Sequence, residues 1–239
     1  MPIEKEGTTL SSRVFERLRA EIIGGYLPPG QRLSPTALAS TYQVSLNVVR
    51  EALNRLAGER LINVQPKFGF AVRSLSAADL TDLVHQRISL ESIALRQAIE
   101  DSTLDWRSQV LAAHHRLHQT PLAIEGTPRR LSPDWIARHD EFHSVILEAC
   151  GSPRLFQIVR HLAEAAEIYH RALLPVVSRD CDMETEHADL RDAIMTSDAD
   201  CAVAILAAHL TKTRDEMLPH LAPKANVKES DQARFADAA

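Results

Sequence analysis

The stretch Leu33–Ser74, LSPTALASTYQVSLNVVREALNRLAGERLINVQPKFGFAVRS, decides the fold of the N-terminal part of this chain. Ser34 followed by Pro35 is typical of a helix start, because serine caps a helix and proline fits its first position. The pattern predicts that this short helix ends near Tyr42. After a tight turn, Ser45 provides the cap of a second helix. Two helices joined in this way indicate a helix-turn-helix.

The residues after the turn complete the motif. The second helix is expected from Leu46 to Gly58, with an apolar stripe on one side only. Strand-like segments follow at Ile62 to Gln65 and Phe70 to Arg73, separated by a tip that contains Lys67. The whole stretch therefore predicts a winged helix-turn-helix, which places its second helix in the major groove of DNA.

The polar face of this motif supplies the candidate DNA contacts. Arginine can bond phosphates or guanine, and asparagine can bond base edges. Arg55 shares that face. The alternative to DNA contact is an ordinary solvent-exposed helix face, on which arginine and asparagine are common. The residues predicted to meet DNA are Thr36, Ser45, Leu46, Asn47, Arg50, Asn54, Lys67 and Gly69.

Charge is distributed unevenly along the 239 residues. Residues 1–77 hold ten Lys and Arg against six Asp and Glu, a net charge of +4, whereas the whole chain carries −5. The remainder is therefore strongly acidic. A basic N-terminal part on an acidic body is expected if only the first part meets phosphate.

Two segments carry a resemblance to a known family. VFERLRAEIIGGYLPPGQRL and VSLNVVREALNRLAGERLINVQPKFGFAV, within residues 10–75, resemble the DNA-binding domain of the GntR family of bacterial transcriptional regulators. The resemblance includes the PPG turn, the VREAL run and the wing glycine. This chain has Thr36 and Leu46-Asn47 where the family often has arginine and Arg-Thr, and Arg60 where it usually has glycine. The operator sequence therefore does not carry over from relatives.

The sequence pattern of the rest of the chain predicts helices. Capping serines and stop signals predict helices at residues 77–98, 104–119, 133–150, 153–174, 183–196 and 199–221. We expect a mainly α protein with a winged helix-turn-helix at 9–75, an all-α bundle of six or seven helices at 76–221, and a disordered tail at 222–239.

Eleven histidines are many for this length, and four of them suggest a metal site. His139 and His143 are four residues apart on one predicted helix, so their side chains share a face. His187 and His209 lie on the last two helices. Imidazoles from three helices can close on one metal, but on spacing alone core or surface histidines are the commoner explanation.

A second resemblance favours the metal. HDEFHSVILEACGSPRL, EHADLRDAI and AVAILAAHLTKT resemble the FCD effector domain of the FadR subfamily, and the ACGSP segment is similar to a carbon-starvation-induced repressor branch. The resemblance implies a divalent metal held by His143, His187 and His209, with His139 at the position of the family's aspartate. It also implies Arg87 as a clamp for a carboxylate effector, with Tyr169 and Arg171 as further pocket residues.

Replacing aspartate with His139 has a chemical consequence. Four neutral imidazoles leave the full +2 charge available to a bound anion, and they favour Zn²⁺, with Ni²⁺ as the alternative, over Mg²⁺ or Ca²⁺. We therefore expect a small carboxylate effector beside the metal. For Arg87 the alternative is an i, i+4 ion pair with Glu91 alone.

These patterns predict a ligand-responsive transcriptional regulator rather than an enzyme, binding a palindromic operator as a homodimer, most commonly as a repressor. The alternatives are a metal-dependent hydrolase or lyase on a retained DNA-binding scaffold, and an architectural DNA-binding protein with a structural metal. Three cysteines without a CxxC pattern, no signal-peptide core and no long apolar run predict a cytoplasmic protein without membrane association.

Overall fold

The computed structural model describes residues 9–65, 69–124, 130–173 and 180–221. It confirms a mainly α protein with a small sheet near the N-terminus. We use "head" for the elements from α1 to β3, and "body" for those from α4 onward. The head consists of α1 (Leu10–Ile23), β1 (Arg32–Leu33), α2 (Pro35–Tyr42), α3 (Leu46–Gly58), β2 (Ile62–Gln65) and β3 (Gly69–Val72).

The helix-turn-helix forms as its sequence predicts. The Ser34 hydroxyl accepts a hydrogen bond from the Ala37 amide at 3.3 Å, and the Ser45 hydroxyl accepts one from the Val48 amide at 3.4 Å. Both serines thus cap their helices. Gln43 reverses the chain between the helices with a φ of 55°, in the left-handed region.

A three-stranded antiparallel sheet completes the head. Its order is β1-β3-β2, with Val64 opposite Phe70 and Leu33 opposite Phe70 on the other side. The predicted wing strands are confirmed, whereas the short β1 was not foreseen. Gly69 has a φ of 81°, which a glycine adopts without strain. Lys67, the predicted wing-tip contact, lies outside the described residues.

One apolar core holds the head together. Helix α3 buries one stripe against α1, and Arg60 after it adopts a φ of 59°, in the left-handed region. The head residues buried in this apolar core are Val14, Phe15, Leu18, Ile22, Leu33, Val49, Ala52, Leu53, Leu56, Leu61, Ile62 and Val72.

The body is a bundle of helices, as predicted. Within the described residues it comprises six α-helices and a final 3₁₀ turn at Leu218–Leu221. The helices are α4 (Ala77–Glu100), α5 (Leu104–His118), α6 (Pro133–Glu148), α7 (Pro153–Leu173), α8 (Asp180–Met195) and α9 (Ala199–Met217). A short β4–β5 hairpin, Ala123–Ile124 with Arg130–Leu131, lies where only a loop was expected. The predicted tail at 222–239 lies outside the described residues.

Helix α7 also contacts the head. Ile168 is a residue of the body, yet it is buried in the apolar core of the head. Next to it, the Tyr169 hydroxyl donates a 2.7 Å hydrogen bond to Asp79 near the start of α4. Arg19 of α1 pairs with Glu164 of α7 and with Glu59 after α3. Head and body therefore share both apolar and charged contacts.

The two faces of α3 give a matched test of this packing. Leu53 is completely buried in the head, whereas Leu46 on the same helix is 36 % exposed. We expect Leu53→Ala to lower the free energy of unfolding by about 2–5 kcal/mol, because it leaves a cavity in a packed core. Leu46→Ala should cost less than about 1 kcal/mol. Urea denaturation checks both variants, and equal losses would contradict the assigned faces.

Candidate metal centre and nucleic-acid interface

The predicted DNA contacts form an exposed surface on the head. Arg50 makes no hydrogen bond or ion pair with any described residue, so its guanidinium is available to a phosphate or a base. Ser45 is also exposed, although its hydroxyl caps α3. The predicted contacts that the structure shows exposed on α2, on α3 or between them are Thr36, Ser45, Leu46, Asn47, Arg50 and Asn54.

Arg55 is placed differently from Arg50. Its guanidinium lies over the Phe15 ring, 4.0 Å from the ring centroid, and donates a 3.1 Å hydrogen bond to the Ser12 hydroxyl. A cation held over an aromatic face and bonded to a neighbouring helix is less available to DNA. Arg55 therefore contributes to the packing of α1 on α3.

The four predicted metal-binding histidines meet inside the body. His139 and His143 lie one turn apart on α6, His187 lies on α8 and His209 on α9. Each offers one ring nitrogen, and these four nitrogens all lie within 4.8 Å of one another. His143, His187 and His209 are buried and His139 is partly buried. We call these four residues the histidine cluster.

The spacing of two nitrogens fits a shared ligand position. The Nε2 atoms of His143 and His187 are 3.2 Å apart. Two imidazoles on one tetrahedral zinc ion, each at the usual metal–nitrogen distance, have their nitrogens about 3.3 Å apart. The residues present therefore fit a divalent metal with nitrogen ligands.

Hydrogen bonds from outside the cluster fix the tautomers of two rings. His187 bonds the backbone of Met183, one helical turn earlier. The Nδ1 atom of His209 lies 2.7 Å from a carboxylate oxygen of Glu186. When Nδ1 carries the proton, the Nε2 atom keeps its lone pair free for a metal.

Three of the four rings are held in the neutral form by their surroundings. Burial lowers the pKa of His139, His143 and His187 well below the usual value, and the neighbouring imidazoles lower each pKa further. A neutral imidazole is the form that binds a metal, because the protonated ring has no lone pair to donate. The environment thus keeps these residues ready to act as ligands.

A small cavity adjoins the histidine cluster. It is closed by α4, α6, α7 and α9, and both His170 and Arg87 reach its wall. The His170 ring lies 6.0 Å from the His139 ring. The polar and charged residues that line the cavity are Arg87, His139, His143, His170, His209, Thr213 and Arg214.

Arg87 is buried with its partner. Its Nε atom donates to Glu91 at 2.6 Å, and both side chains are at most 5 % exposed. The expected i, i+4 pair thus forms in the interior instead of on the surface. Arg87 also lines the cavity of about 10 Å³ beside His139 and His143.

The other two predicted effector contacts lie elsewhere. Tyr169 faces the head and lines a cavity of about 440 Å³ between head and body. Arg171 forms an ion pair at 2.8 Å with Glu167 on its own helix. The structure therefore brings Arg87 to the histidine cluster but places Tyr169 at the cavity between head and body. His170, one residue further along, reaches the cavity instead.

Sequence reasoning missed His170 and Glu186. His170 lies outside the segments that carry the family resemblance, and Glu186 lies inside one of them, EHADLRDAI, but acidic residues are common beside histidines. A signal that could have found Glu186 is its direct neighbour His187, since metal-binding histidines are commonly supported by carboxylates.

A second pair of histidines four residues apart, His114 and His118 on α5, has other partners. His118 pairs with Glu184 at 2.7 Å, and Nδ1 of His114 lies 3.1 Å from Arg191. Burial lowers the pKa of His114 to about 4, and the charge of Arg191 acts in the same direction.

Comparison with known proteins identifies the family. The model of the FCD domain matches residues 82–212, and that of the bacterial regulatory proteins of the gntR family matches residues 10–72. The chain belongs to the GntR family of bacterial regulatory proteins. It is a DNA-binding transcriptional regulator with a winged helix-turn-helix and an FCD domain.

Relatives of similar length support this assignment. The chain is 34 % identical over 203 residues to the HTH-type transcriptional regulator BphR of Paraburkholderia xenovorans strain LB400, covering 84 % of this chain and 82 % of BphR. It is 31 % identical to the HTH-type transcriptional repressor GlaR of Escherichia coli K12, covering 82 % of this chain and 90 % of GlaR. Both are named as transcriptional regulators, and neither supports the hydrolase or lyase alternative.

Solved structures confirm the fold. E. coli McbR/YncC superposes with a TM-score of 0.71 at 21 % identity, covering 89 % of this chain and 99 % of that one. A GntR regulator from Rhodococcus sp. RHA1 gives 0.69 at 23 % identity with the same coverage. Among the described residues, no helix is both long and apolar enough to cross a membrane.

Metal binding gives a direct test of the histidine cluster. We expect the purified protein to bind one Zn²⁺ per chain, and His143→Ala to lower that affinity at least about 100-fold, because a central ligand is lost. His118→Ala is the control, since His118 lies outside the cluster. Competition with a chromophoric chelator measures both. Unchanged Zn²⁺ affinity in His143→Ala would contradict the assignment.

Proposed function

We propose that this protein is a homodimeric repressor whose binding to a palindromic operator is controlled by a small carboxylate metabolite, held beside a divalent metal in the body. The head supplies DNA binding. The histidine cluster holds the metal, with Zn²⁺ preferred and Ni²⁺ as the alternative, because all four candidate ligands are imidazoles. Two heads in one dimer would read two half-sites.

The charge of the cavity favours a carboxylate. Neutral imidazoles do not reduce the charge of a dication, so an anion beside it is attracted strongly. Arg87 adds a guanidinium, which binds carboxylates in a bidentate manner. Its partner Glu91 holds Arg87 in place and neutralises part of its charge. A carboxylate effector would therefore bind between Arg87 and the metal.

One observation carries the proposal: three consecutive residues of α7 reach three different places. Ile168 packs into the head core, Tyr169 bonds the start of α4, and His170 lines the cavity of the histidine cluster. A helix is rigid over one turn, so a shift at His170 also moves Ile168 and Tyr169. Ligand binding in the cavity can thus bias the position of the head.

Ion pairs connect the same elements. Asp140 of α6, next to His139, pairs with Arg160 of α7 at 3.2 Å. Glu164, one turn along α7 from Arg160, binds Arg19 of the head. These partly exposed pairs each contribute little stability, but they favour one arrangement of α7 against both α6 and α1. They support coupling between the cluster and the head.

DNA binding by the head can be tested at Arg50. We expect Arg50→Ala to weaken binding to the DNA upstream of the protein's own gene about 5- to 150-fold and to reduce the salt dependence, since a phosphate or base contact is lost. Fluorescence anisotropy measures the affinity. Arg138→Ala in the exposed part of the body is the charge-matched control. If the two variants bind alike, the assigned DNA surface is wrong.

Effector identity is open to a direct screen. Dicarboxylates, short hydroxy acids and sugar acids are added to Zn²⁺-loaded protein, and the melting temperature is recorded. A true effector raises it by mass action, and Arg87→Met should abolish the rise because the clamp is lost. A stabilising acid that acts equally on Arg87→Met would contradict the carboxylate site proposed for Arg87.

Two tyrosines give a matched test of the coupling through α7. Tyr169→Phe removes a hydrogen bond between α7 and the start of α4, next to the head, while Tyr42→Phe removes one to Glu21 within the head, each 2.7 Å long. We expect the acid selected in the screen to change operator affinity about 5- to 150-fold in wild type and Tyr42→Phe, but at least threefold less in Tyr169→Phe. Equal responses in all three proteins would rule out coupling through Tyr169.

A further inference from the structure

We propose that Glu186 is a positioning residue of the metal centre: it orients His209 through Nδ1 and supplies the negative charge that four imidazoles lack. This inference rests on the proposed metal site and concerns a residue outside the histidine cluster. Glu186 immediately precedes the cluster residue His187 on α8, and it faces α9.

The contacts of Glu186 are specific. One carboxylate oxygen lies 2.7 Å from Nδ1 of His209, and the other accepts a 2.9 Å hydrogen bond from Nζ of Lys212. Lys212 follows His209 by three residues on α9, so the two side chains lie on one side of the helix. Glu186 therefore bridges two groups of α9 and is held at a fixed angle to the His209 ring.

This geometry selects one tautomer of His209. A carboxylate accepts hydrogen bonds, so the Nδ1 atom of His209 carries the proton that it donates. The Nε2 atom then keeps its lone pair and is the atom free to coordinate. A carboxylate behind an imidazole also increases the basicity of the coordinating nitrogen, which strengthens the bond to a dication.

The charge of Glu186 has a second effect. All four candidate ligands are imidazoles, so the ligand set in its metal-binding form carries no charge. Glu186 places a carboxylate one hydrogen bond behind His209, close enough to offset part of the charge of a dication. Lys212 is 44 % exposed and compensates Glu186 from the solvent side. The metal can thus be retained by neutral ligands and still attract an anionic effector on the cavity side.

Glu184 provides a matched control on the same helix. It also pairs with a histidine, His118, at 2.7 Å, but both side chains are about half exposed and His118 is not part of the histidine cluster. The two glutamates therefore make the same kind of bond. Only the bond of Glu186 leads to a candidate metal ligand.

The experiment compares Zn²⁺ affinity in the full-length wild-type protein and in Glu186→Gln and Glu184→Gln, by competition with a chromophoric chelator. We expect Glu186→Gln to weaken Zn²⁺ binding about 10- to 100-fold and Glu184→Gln to stay within about twofold of wild type. Melting temperatures of the metal-free proteins report any structural effect separately. Glu186→Asp keeps the charge, and it should recover part of the lost affinity.

The outcomes separate the two proposals. A wild-type protein that binds no Zn²⁺ would refute the metal site itself. Wild-type binding with unchanged affinity in Glu186→Gln would overturn the role of Glu186 and leave the metal site standing. If Glu186→Gln lowers the melting temperature of the metal-free protein, the Glu186→Asp variant is the deciding test. If Glu186→Asp melts like wild type but recovers no Zn²⁺ affinity, the inference is also overturned.

Discussion

The convergence of four imidazoles, three of them buried, at one point in the body is the constraint on which the rest of the structure depends. A buried polar nitrogen without a partner costs about 1–3 kcal/mol. His143 leaves one such nitrogen at Nδ1, and its Nε2 faces that of His187 at 3.2 Å. Helices α6, α8 and α9 converge to make this arrangement. A dication bound between the Nε2 atoms would stabilise the folded state, because it binds that state alone, although the Nδ1 atom of His143 would stay unpaired.

The same region contacts the part of the molecule that meets DNA. Helix α7 lines the cavity with His170 and enters the head core with Ile168, so the two domains do not pack independently. The side chain of Arg19 joins α7 to α1 and to the end of α3. Under the proposed function, a ligand that shifts α7 relative to α6 would change the orientation of α3. This arrangement fits a regulator whose two heads must match a fixed spacing on DNA.

Local chemistry explains why much of the fold was predictable. The serine caps at Ser34, Ser45, Ser76 and Ser132 all accept the expected amide hydrogen bonds, so the helix starts agreed with the sequence. The strand β1 and the β4–β5 hairpin were missed because two-residue strands carry no periodicity and depend on their partner strands.

The candidate site was only partly predictable. Spacing places His139 and His143 on one face of a helix, but it does not show which residues of distant helices join them; the family resemblance supplied His187 and His209. The packing of Arg55 on Phe15, the position of His170 and the support by Glu186 are tertiary contacts. No local pattern distinguishes these residues from ordinary solvent-exposed ones.

Reciprocity between the two sites tests the central claim most directly. If metal or effector binding in the body changes operator affinity, operator binding must change the affinity of the body for that ligand by the same factor. The measurement is the Zn²⁺ affinity of the wild-type protein, at saturating effector acid, with and without saturating operator DNA. We predict a difference of about 5- to 150-fold. Identical affinities in the two conditions would contradict a coupled head and body.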